Sequence, residues 1–276
     1  MPSNVSLSAS AGAAQRNTDR LLSRLTWILF GVAVAGQWLF VVYIVSFYGG
    51  AVLSGALERI NQQLPHGVIE GDTIGNAALA VHISLAAVII FGGPLQFIPA
   101  IRNRFPVFHR WNGRIFLSTA FVVAGAGMLM NIIRGAHGGT TAMLGAILNT
   151  GLIVVFGVLA WRMAMRRNFA AHKKWAIRAF LMVNGVWFFR VGYGLWLLIT
   201  GFKAPGANAD LTGPFDIFLQ FGHSLVPLLL LEGYFFVRNH TSLAVKRAGA
   251  AALILLTLML IGGLAILTMV FWFPQA

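Results

Sequence analysis

Seven long apolar segments constrain what this chain can fold into. Each contains 22 to 26 residues, and they occupy residues 25–48, 77–101, 113–134, 142–163, 175–200, 214–238 and 249–273. About 20 apolar residues allow an α-helix to cross the hydrocarbon layer, where every backbone polar group must be bonded within the protein. The segments lack the alternation of membrane β-strands. The sequence therefore predicts an all-α fold, a polytopic membrane helix bundle with seven transmembrane helices.

The basic residues predict how these helices are oriented. Most of the 20 lysines and arginines lie in residues 16–24, 102–114, 162–178 and 238–248, which the predicted helix order places on one side of the membrane. Connections rich in Lys and Arg stay in the cytoplasm. We therefore expect the N-terminus inside and the C-terminus outside, in a bacterial cytoplasmic (inner) membrane. This topology, with contacts to the lipid bilayer, explains the net charge of +13 without a nucleic-acid partner.

The chain divides into a polar tail and a single membrane domain. Residues 1–24 are rich in Ser and Ala and predict a disordered cytoplasmic tail, and residues 25–276 are expected to form a single transmembrane helical domain. Within residues 49–76 we expect a short amphipathic helix on the outer surface, which ends at Pro65 and has apolar residues at helical spacing: Leu53, Leu57, Ile60 and Leu64.

The residue content excludes several kinds of site. The chain has no cysteine, so it cannot form disulfides, thiolate metal sites, iron–sulfur clusters or cysteine nucleophiles. Neither an H-E-x-x-H nor a G-x-S-x-G motif occurs, which argues against a hydrolase. The sequence leaves open whether the protein is an enzyme.

Three ionisable side chains fall at similar depths near the predicted outer face. At a rise of about 1.5 Å per residue, His82 lies about 8 Å and His223 about 13 Å below that face, and Arg190 lies about 8 Å from it. Ionisable groups are costly in lipid and have a partner or a function. Asp216 lies just above this layer, and we expect it to form an ion pair with Arg190.

Two further histidines form a second layer near the inner face. His109, in the sequence HRW, and His172, in HKKW, each precede a segment that starts from the basic side. In a continuous fifth helix, His172 and Arg190 would point the same way, because 18 residues make five full turns. The histidines therefore sort into an outer pair and an inner pair.

This arrangement favours haem as the cofactor. Two imidazoles on facing helices can hold a b-type haem inside a bundle, and an arginine at the same depth can pair with a propionate. We therefore expect His82 and His223 to ligate the iron of one haem b, with Arg190 beside it. His109 and His172 are the candidates for a second haem site. Such a protein would exchange electrons with a quinone or another redox membrane protein.

Two other functions remain open. The protein could be a non-catalytic subunit or an assembly factor of a membrane complex, with structural histidines. It could instead be a transporter, although we find no inverted internal repeat and no pair of broken helices, FGGP (91–94) being the one candidate break. The polar path of a transporter would be lined by His82, Arg190, His223 and Glu232. Glu232 could also be neutralised by Arg178 or Arg238.

Two stretches carry a recognisable pattern: VHISLAAVIIFGGPLQFIPAIRNRFPVFHRWNGRIF (81–116) and HKKWAIRAFLMVNGVWFFRV (172–191). In these motifs the chain resembles bacterial predicted membrane proteins grouped as domain-of-unknown-function family 2306, over about residues 80–240. The matching residues are His82, Gly93, Gln96, Phe97, Arg102, His109, Arg110, Gly113, Arg114, His172, Trp175, Arg178 and Arg190. Ala176 departs from the pattern, in which a methionine is expected. The resemblance implies the topology and a shared site at these residues, without an established activity.

Overall fold

The computed structural model describes residues 3–64 and 67–273, and within them the regular structure is entirely helical. The α-helices are α1 (Ser3–Ile44), α2 (Gly50–Leu53), α3 (Thr73–Gly92), α4 (Pro99–Arg104), α5 (Pro106–Arg134), α6 (Gly139–Met165), α7 (Phe169–Val183), α8 (Gly185–Ile199), α9 (Pro214–Asn239) and α10 (Leu243–Ile266). Short 3₁₀ helices (Leu57–Gln62, Pro94–Phe97) and π-helices (Val45–Gly49, Leu267–Trp272) adjoin them. The predicted all-α fold is confirmed.

The long apolar helices make the protein multi-pass. In the described part of the chain, six helical stretches are long and apolar enough to cross a membrane, and α7 with α8 adds a seventh if this bent pair is one span. This confirms the polytopic membrane helix bundle. The most extensive packing joins α6 to α7, α3 to α5, and α10 to both α1 and α8. The orientation of the termini stays a prediction.

Asn184 breaks the fifth predicted span. The axes of α7 and α8 meet at this residue with a bend of 60°. The Asn184 side chain donates to the Phe180 carbonyl at 2.8 Å and accepts from Gln37 Nε2 at 3.0 Å. A carboxamide that bonds to the backbone in this way competes with the helix ladder and bends it. The expectation of one continuous helix is therefore wrong, and His172 and Arg190 lie on different helices.

The N-terminal end of α1 is helical where the sequence predicts a disordered tail. Leu22 is fully buried against α10. Nearby, Lys246 Nζ donates to Asp19 Oδ1 at 2.6 Å. Leu22 extends the apolar stripe of Leu25 and Leu29 by about one turn, and this stripe packs on α10 despite the polar composition of its surroundings. Within the predicted tail of residues 1–24, residues 12–24, whose side chains are described, are therefore helical rather than disordered.

The connection between α2 and α3 forms a shorter helix than predicted. It contains the 3₁₀ helix Leu57–Gln62, in which Ile60 is buried. Leu64 packs against the core, whereas Leu53 is 91% exposed. Only the second half of the predicted apolar face therefore reaches the bundle. Pro65 and His66 lie outside the described residues.

An arginine fastens this connection to the end of α5. Arg134 Nε donates to Asp72 Oδ2 at 2.8 Å, and its two terminal nitrogens reach the Gly67 carbonyl at 2.5 Å and Asn76 Oδ1 at 2.7 Å. Asp72 also caps α3, because its Oδ1 accepts from the Gly75 N–H at 2.8 Å. One carboxylate thus holds two elements together at the end of the bundle where α5 ends and α3 begins.

The docking of the N-terminal end of α1 can be tested with two neighbouring leucines. We expect Leu22→Ala to lower the free energy of unfolding by about 2 kcal/mol or more, because it opens a cavity against α10. Leu21→Ala is the control, since Leu21 is 46% exposed and its loss should cost little. Thermal unfolding in detergent measures both, and equal melting temperatures would contradict the docking.

The Asp72 carboxylate should make stability depend on pH. The Gly75 N–H, with Arg134 beside it, holds the pKa of Asp72 below its usual value. A carboxyl whose folded pKa is depressed stabilises the fold above its unfolded pKa, and that stabilisation is lost as the pH falls through the folded pKa. We expect the unfolding temperature to fall below about pH 4, and to fall less steeply in Asp72→Asn. Glu58→Gln, at an exposed position on the same side, should leave the slope unchanged.

Candidate functional site

A cavity of about 440 Å³ opens inside the bundle, bounded mainly by α1, α3, α5, α6, α8 and α9. Its volume is typical of sites that bind small molecules. The wall is largely apolar, but it also carries the polar side chains of Tyr48, His82, Asn131, His137, Asn149, Thr150, Asn184, Trp187, Arg190, Gln220 and His223. The structure thus brings the predicted outer layer of His82, Arg190 and His223 to one cavity.

The two outer histidines are held in the same way. His82 Nδ1 lies 2.9 Å from the Val123 carbonyl oxygen, and His223 Nδ1 lies 3.0 Å from that of Leu219. A carbonyl oxygen can only accept, so Nδ1 carries the proton in each ring. In the neutral imidazole, Nε2 then keeps its lone pair, which can bind a metal or accept a hydrogen bond. Both rings therefore present the same chemistry to the cavity they line.

Glycines allow these rings to approach the neighbouring helices. A Cβ atom added to Gly127 would lie 3.0 Å from His82 Cε1, and one added to Gly185 would lie 2.9 Å from His223 Cδ2. At these distances an imidazole would have to shift before either position could carry a side chain. Small residues are how membrane helices pack at close range, and here they fix where the two imidazoles lie.

Arg190 does not form the predicted ion pair with Asp216. Its guanidinium lies over the ring of Phe40, 5.1 Å from the centroid, and approaches the hydroxyl of Tyr48. Among the described residues, no carboxylate forms a salt bridge with Arg190. No Asp or Glu is among the described residues that line the cavity either. Arg190 is therefore the one formal charge on the described cavity wall.

Asp216 is instead a structural residue at the start of α9. It is fully buried, and its Oδ2 accepts from the backbone N–H groups of Gly213 at 2.9 Å and Asn208 at 3.0 Å. Its other oxygen accepts a hydrogen bond from the Tyr193 hydroxyl. The expected ion pair is therefore wrong, because backbone N–H groups at the start of α9 take one carboxylate oxygen and the Tyr193 hydroxyl takes the other.

Two polar atoms on the cavity wall have no hydrogen-bond partner within the described residues. Trp187 Nε1 belongs to a side chain that is 1% exposed, and Gln220 Oε1 to one that is 4% exposed. One is a donor and the other an acceptor. Buried polar atoms without partners are rare and costly, so each is a reason to expect a ligand in the cavity.

The inner histidines lie elsewhere and differ from each other. His172 Nδ1 lies 2.9 Å from the Ala160 carbonyl oxygen. With its amide oriented to satisfy both ends, Gln96 donates to His109 Nδ1 at 3.0 Å. In the neutral rings, Nε2 of His172 is therefore an acceptor and Nε2 of His109 a donor. The two rings are close enough to interact electrostatically, but neither lines the cavity. This arrangement suits a hydrogen bond between them better than two bonds to iron.

The remaining sequence candidates have structural partners. Glu232 accepts from Arg178, with an N–O distance of 2.6 Å, and does not line the cavity. Neutralisation by Arg178 was one of the two expected pairings. Within the described residues, no group of three or more His, Cys, Asp or Glu side chains could hold a bare metal ion. A haem iron needs only one or two protein ligands.

Sequence reasoning missed three asparagines and two other residues of the cavity. Asn131, Asn149 and Asn184 all lie within apolar segments. A carboxamide in a membrane span is costly unless it is bonded, so these positions were a usable signal. His137, to which the sequence assigned no role, also lines the cavity, and its Nε2 lies 3.0 Å from the Ala209 carbonyl oxygen. No sequence feature distinguished Trp187 from other tryptophans.

Comparison with known proteins supports the resemblance seen in the motifs. Residues 79–209 match the model of a family described as predicted membrane protein (DUF2306). This segment, a little under half of the chain, is similar to that family. The DUF2306 match contains His82, His109, His172 and Arg190, but it ends before His223. Neither the curated proteins nor the solved structures contain a significant match to the chain.

The separation of Arg190 from Asp216 can be tested with double-mutant cycles. We expect Arg190→Gln and Asp216→Asn to be additive, with a coupling below about 0.5 kcal/mol, because the two side chains share no contact. Tyr193→Phe and Asp216→Asn are the matched pair in contact, and their coupling should exceed that value. Chemical unfolding of the wild type, the three single variants and the two double variants provides the free energies. A strong coupling between Arg190 and Asp216 would show that the two side chains form an ion pair and would contradict their separation.

Proposed function

We propose that this protein is a b-type cytochrome, in which His82 and His223 ligate the iron of one haem in the cavity. The haem would supply reversible one-electron chemistry, and the protein would hold it within the membrane. The proposal rests on one observation: the two histidines line the same cavity, and each has its Nδ1 bonded to a backbone carbonyl.

Those carbonyl bonds prepare the rings for ligation. A histidine that binds a metal through one nitrogen donates its other N–H to a carbonyl or carboxylate, which fixes the ring and raises its basicity. His82 and His223 already meet this requirement. The bonds come from α5 and from within α9, so both rings are set by rigid helices rather than by loops.

The rest of the cavity suits a large apolar cofactor with a charged edge. Most lining residues are aliphatic or aromatic, and such a wall keeps water from the iron and helps to set its redox potential. Arg190, on the same wall, is the predicted partner of a propionate. Because the inner histidines differ in hydrogen bonding, we propose one haem per chain rather than two.

The cavity's position decides which partners are reasonable. Its residues belong to the half of the bundle that holds Arg134 and Asp72, opposite the basic connections. We propose that the basic end faces the cytoplasm of a bacterial cell and that the haem exchanges electrons near the outer face. A quinone or another redox membrane protein is the expected partner there.

An optical spectrum of the purified full chain tests this function. We expect a reduced α-band typical of bis-histidine haem and about one haem per chain in a pyridine haemochrome assay, since the described cavity offers one pair of Nε2 lone pairs. His82→Ala and His223→Ala should each remove that band. His240→Ala is the control, because His240 lies at the connection from α9 to α10. A colourless protein from haem-replete cells, or an unchanged spectrum in both variants, would contradict the proposal.

Transport is the second candidate, and the broken span favours it. α7 and α8 meet at a 60° bend whose residue, Asn184, lines the cavity. Near the end of another span, at FGGP, the α-helix α3 ends at Gly92 and a 3₁₀ helix continues to Phe97. Transporters build midplane sites from discontinuous helices of this kind. His82, Arg190 and His223 would line the path, but Glu232 would not. Solute uptake by vesicles containing a colourless protein would select this function.

A further inference from the structure

The cavity wall is unusual for a membrane interior because its described residues carry a positive charge and no negative one. Arg190 is the arginine among them, and Asp and Glu are absent. We propose that the cavity contains a carboxylate-binding site, formed by Arg190 as the countercharge and by Trp187 Nε1–H as a second, neutral donor. The inference deepens the proposed haem site, on which its favoured source of the carboxylate rests.

The contacts of Arg190 leave its charge without an anion. One face of the guanidinium lies over Phe40, and the hydroxyl of Tyr48 is nearby. An aromatic ring and a phenol can solvate a cation, but neither carries a compensating charge at neutral pH. Asp216, the carboxylate expected to do so, is committed to the cap of α9. In the low dielectric of a membrane protein, an anionic ligand group beside Arg190 would be strongly favoured.

Trp187 supplies an independent indication of the same site. Its side chain is 1% exposed and lines the cavity, and Nε1 has no partner among the described residues. An indole nitrogen can only donate, so the missing partner must be an acceptor. Trp187 precedes Arg190 by three residues on α8, and side chains at that spacing are neighbours on a helix. A carboxylate has two oxygens, so it can accept from both.

The N-terminus of α8 also favours an anion at this site. α8 begins at Gly185, so Trp187 lies in its first turn, and Asn184 at the bend also lines the cavity. The first turn of a helix carries a partial positive charge that stabilises anions. A continuous helix through residue 184 would have no such terminus inside the membrane. The bend therefore places a helix start, an indole N–H and a guanidinium along one wall.

The apolar remainder of the cavity defines the rest of the ligand. It calls for a large hydrophobic body that ends in an acid, rather than for a small hydrophilic anion. Two sources share this chemistry: the propionate of a tetrapyrrole and the head group of a free long-chain acid. We favour the tetrapyrrole, since two histidines face the same space.

Binding of metal-free protoporphyrin IX and of its dimethyl ester tests the site without iron. The full chain in detergent is titrated with each compound and followed by porphyrin fluorescence, and palmitate with methyl palmitate forms the second arm. We expect the porphyrin acid to bind about tenfold or more tightly than its ester, as for a hydrogen-bonded charge pair. Arg190→Gln should remove this preference and Trp187→Phe should reduce it. Arg59→Gln, an exposed arginine, should leave it intact.

The outcomes separate this inference from the haem proposal. His82→Ala should lose haem, because it lacks one iron ligand. The same variant should keep its preference for the porphyrin acid, because metal-free protoporphyrin IX has no iron to ligate. A preference confined to palmitate would keep the carboxylate site and assign it to a free acid. Equal binding of acid and ester in both arms, or a preference that survives in Arg190→Gln, would overturn the site. Arg190→Lys, which retains the charge, should retain most of the preference and shows that Arg190→Gln acts through charge rather than misfolding.

Discussion

The rest of the cavity depends on the hydrogen bond between Gln37 and Asn184, because it lies at the bend between α7 and α8. In lipid, a carboxamide cannot turn to water, so Asn184 bonds to the carbonyl of Phe180 and to Gln37 on α1. The helix ladder bends by 60° as a result. This bend directs the first turn of α8, with Trp187, towards the cavity, and it sets the position of Arg190 one turn later.

A second constraint is the cost of burying polar and ionisable groups in a membrane, and these groups fall into two sets. The carboxylates of Asp72, Asp216 and Glu232 each accept a hydrogen bond from a donor in the protein or form an ion pair. On the described cavity wall, Trp187 Nε1 and Gln220 Oε1 have no hydrogen-bond partner, and no described carboxylate forms a salt bridge with Arg190. A buried polar group without a partner destabilises the protein, and such groups are found mainly at functional sites.

The two histidine layers look equivalent in the sequence and are not equivalent in the structure. Each layer pairs histidines from two spans, and HRW and HKKW even share a local pattern. The difference comes from the neighbours of Nδ1. A carbonyl faces that atom in His82, His223 and His172, whereas the Gln96 amide faces it in His109. The direction of one hydrogen bond therefore distinguishes the inner pair, whose two rings have opposite tautomers, from the outer pair, whose rings have the same one.

The sequence by itself determined the helical class, the approximate spans and the set of polar residues in them, because hydrocarbon imposes length and composition on every membrane helix. It also placed His82, Arg190 and His223 at a common depth, since depth follows from position along a helix of known rise. Only the tertiary structure decided that these three residues share a cavity, that Asp216 caps a helix instead of pairing with Arg190, and that Leu22 packs on α10. Those outcomes depend on which faces of different helices meet and on how a single carboxamide bends one of them, and neither is encoded in the periodicity of a single segment.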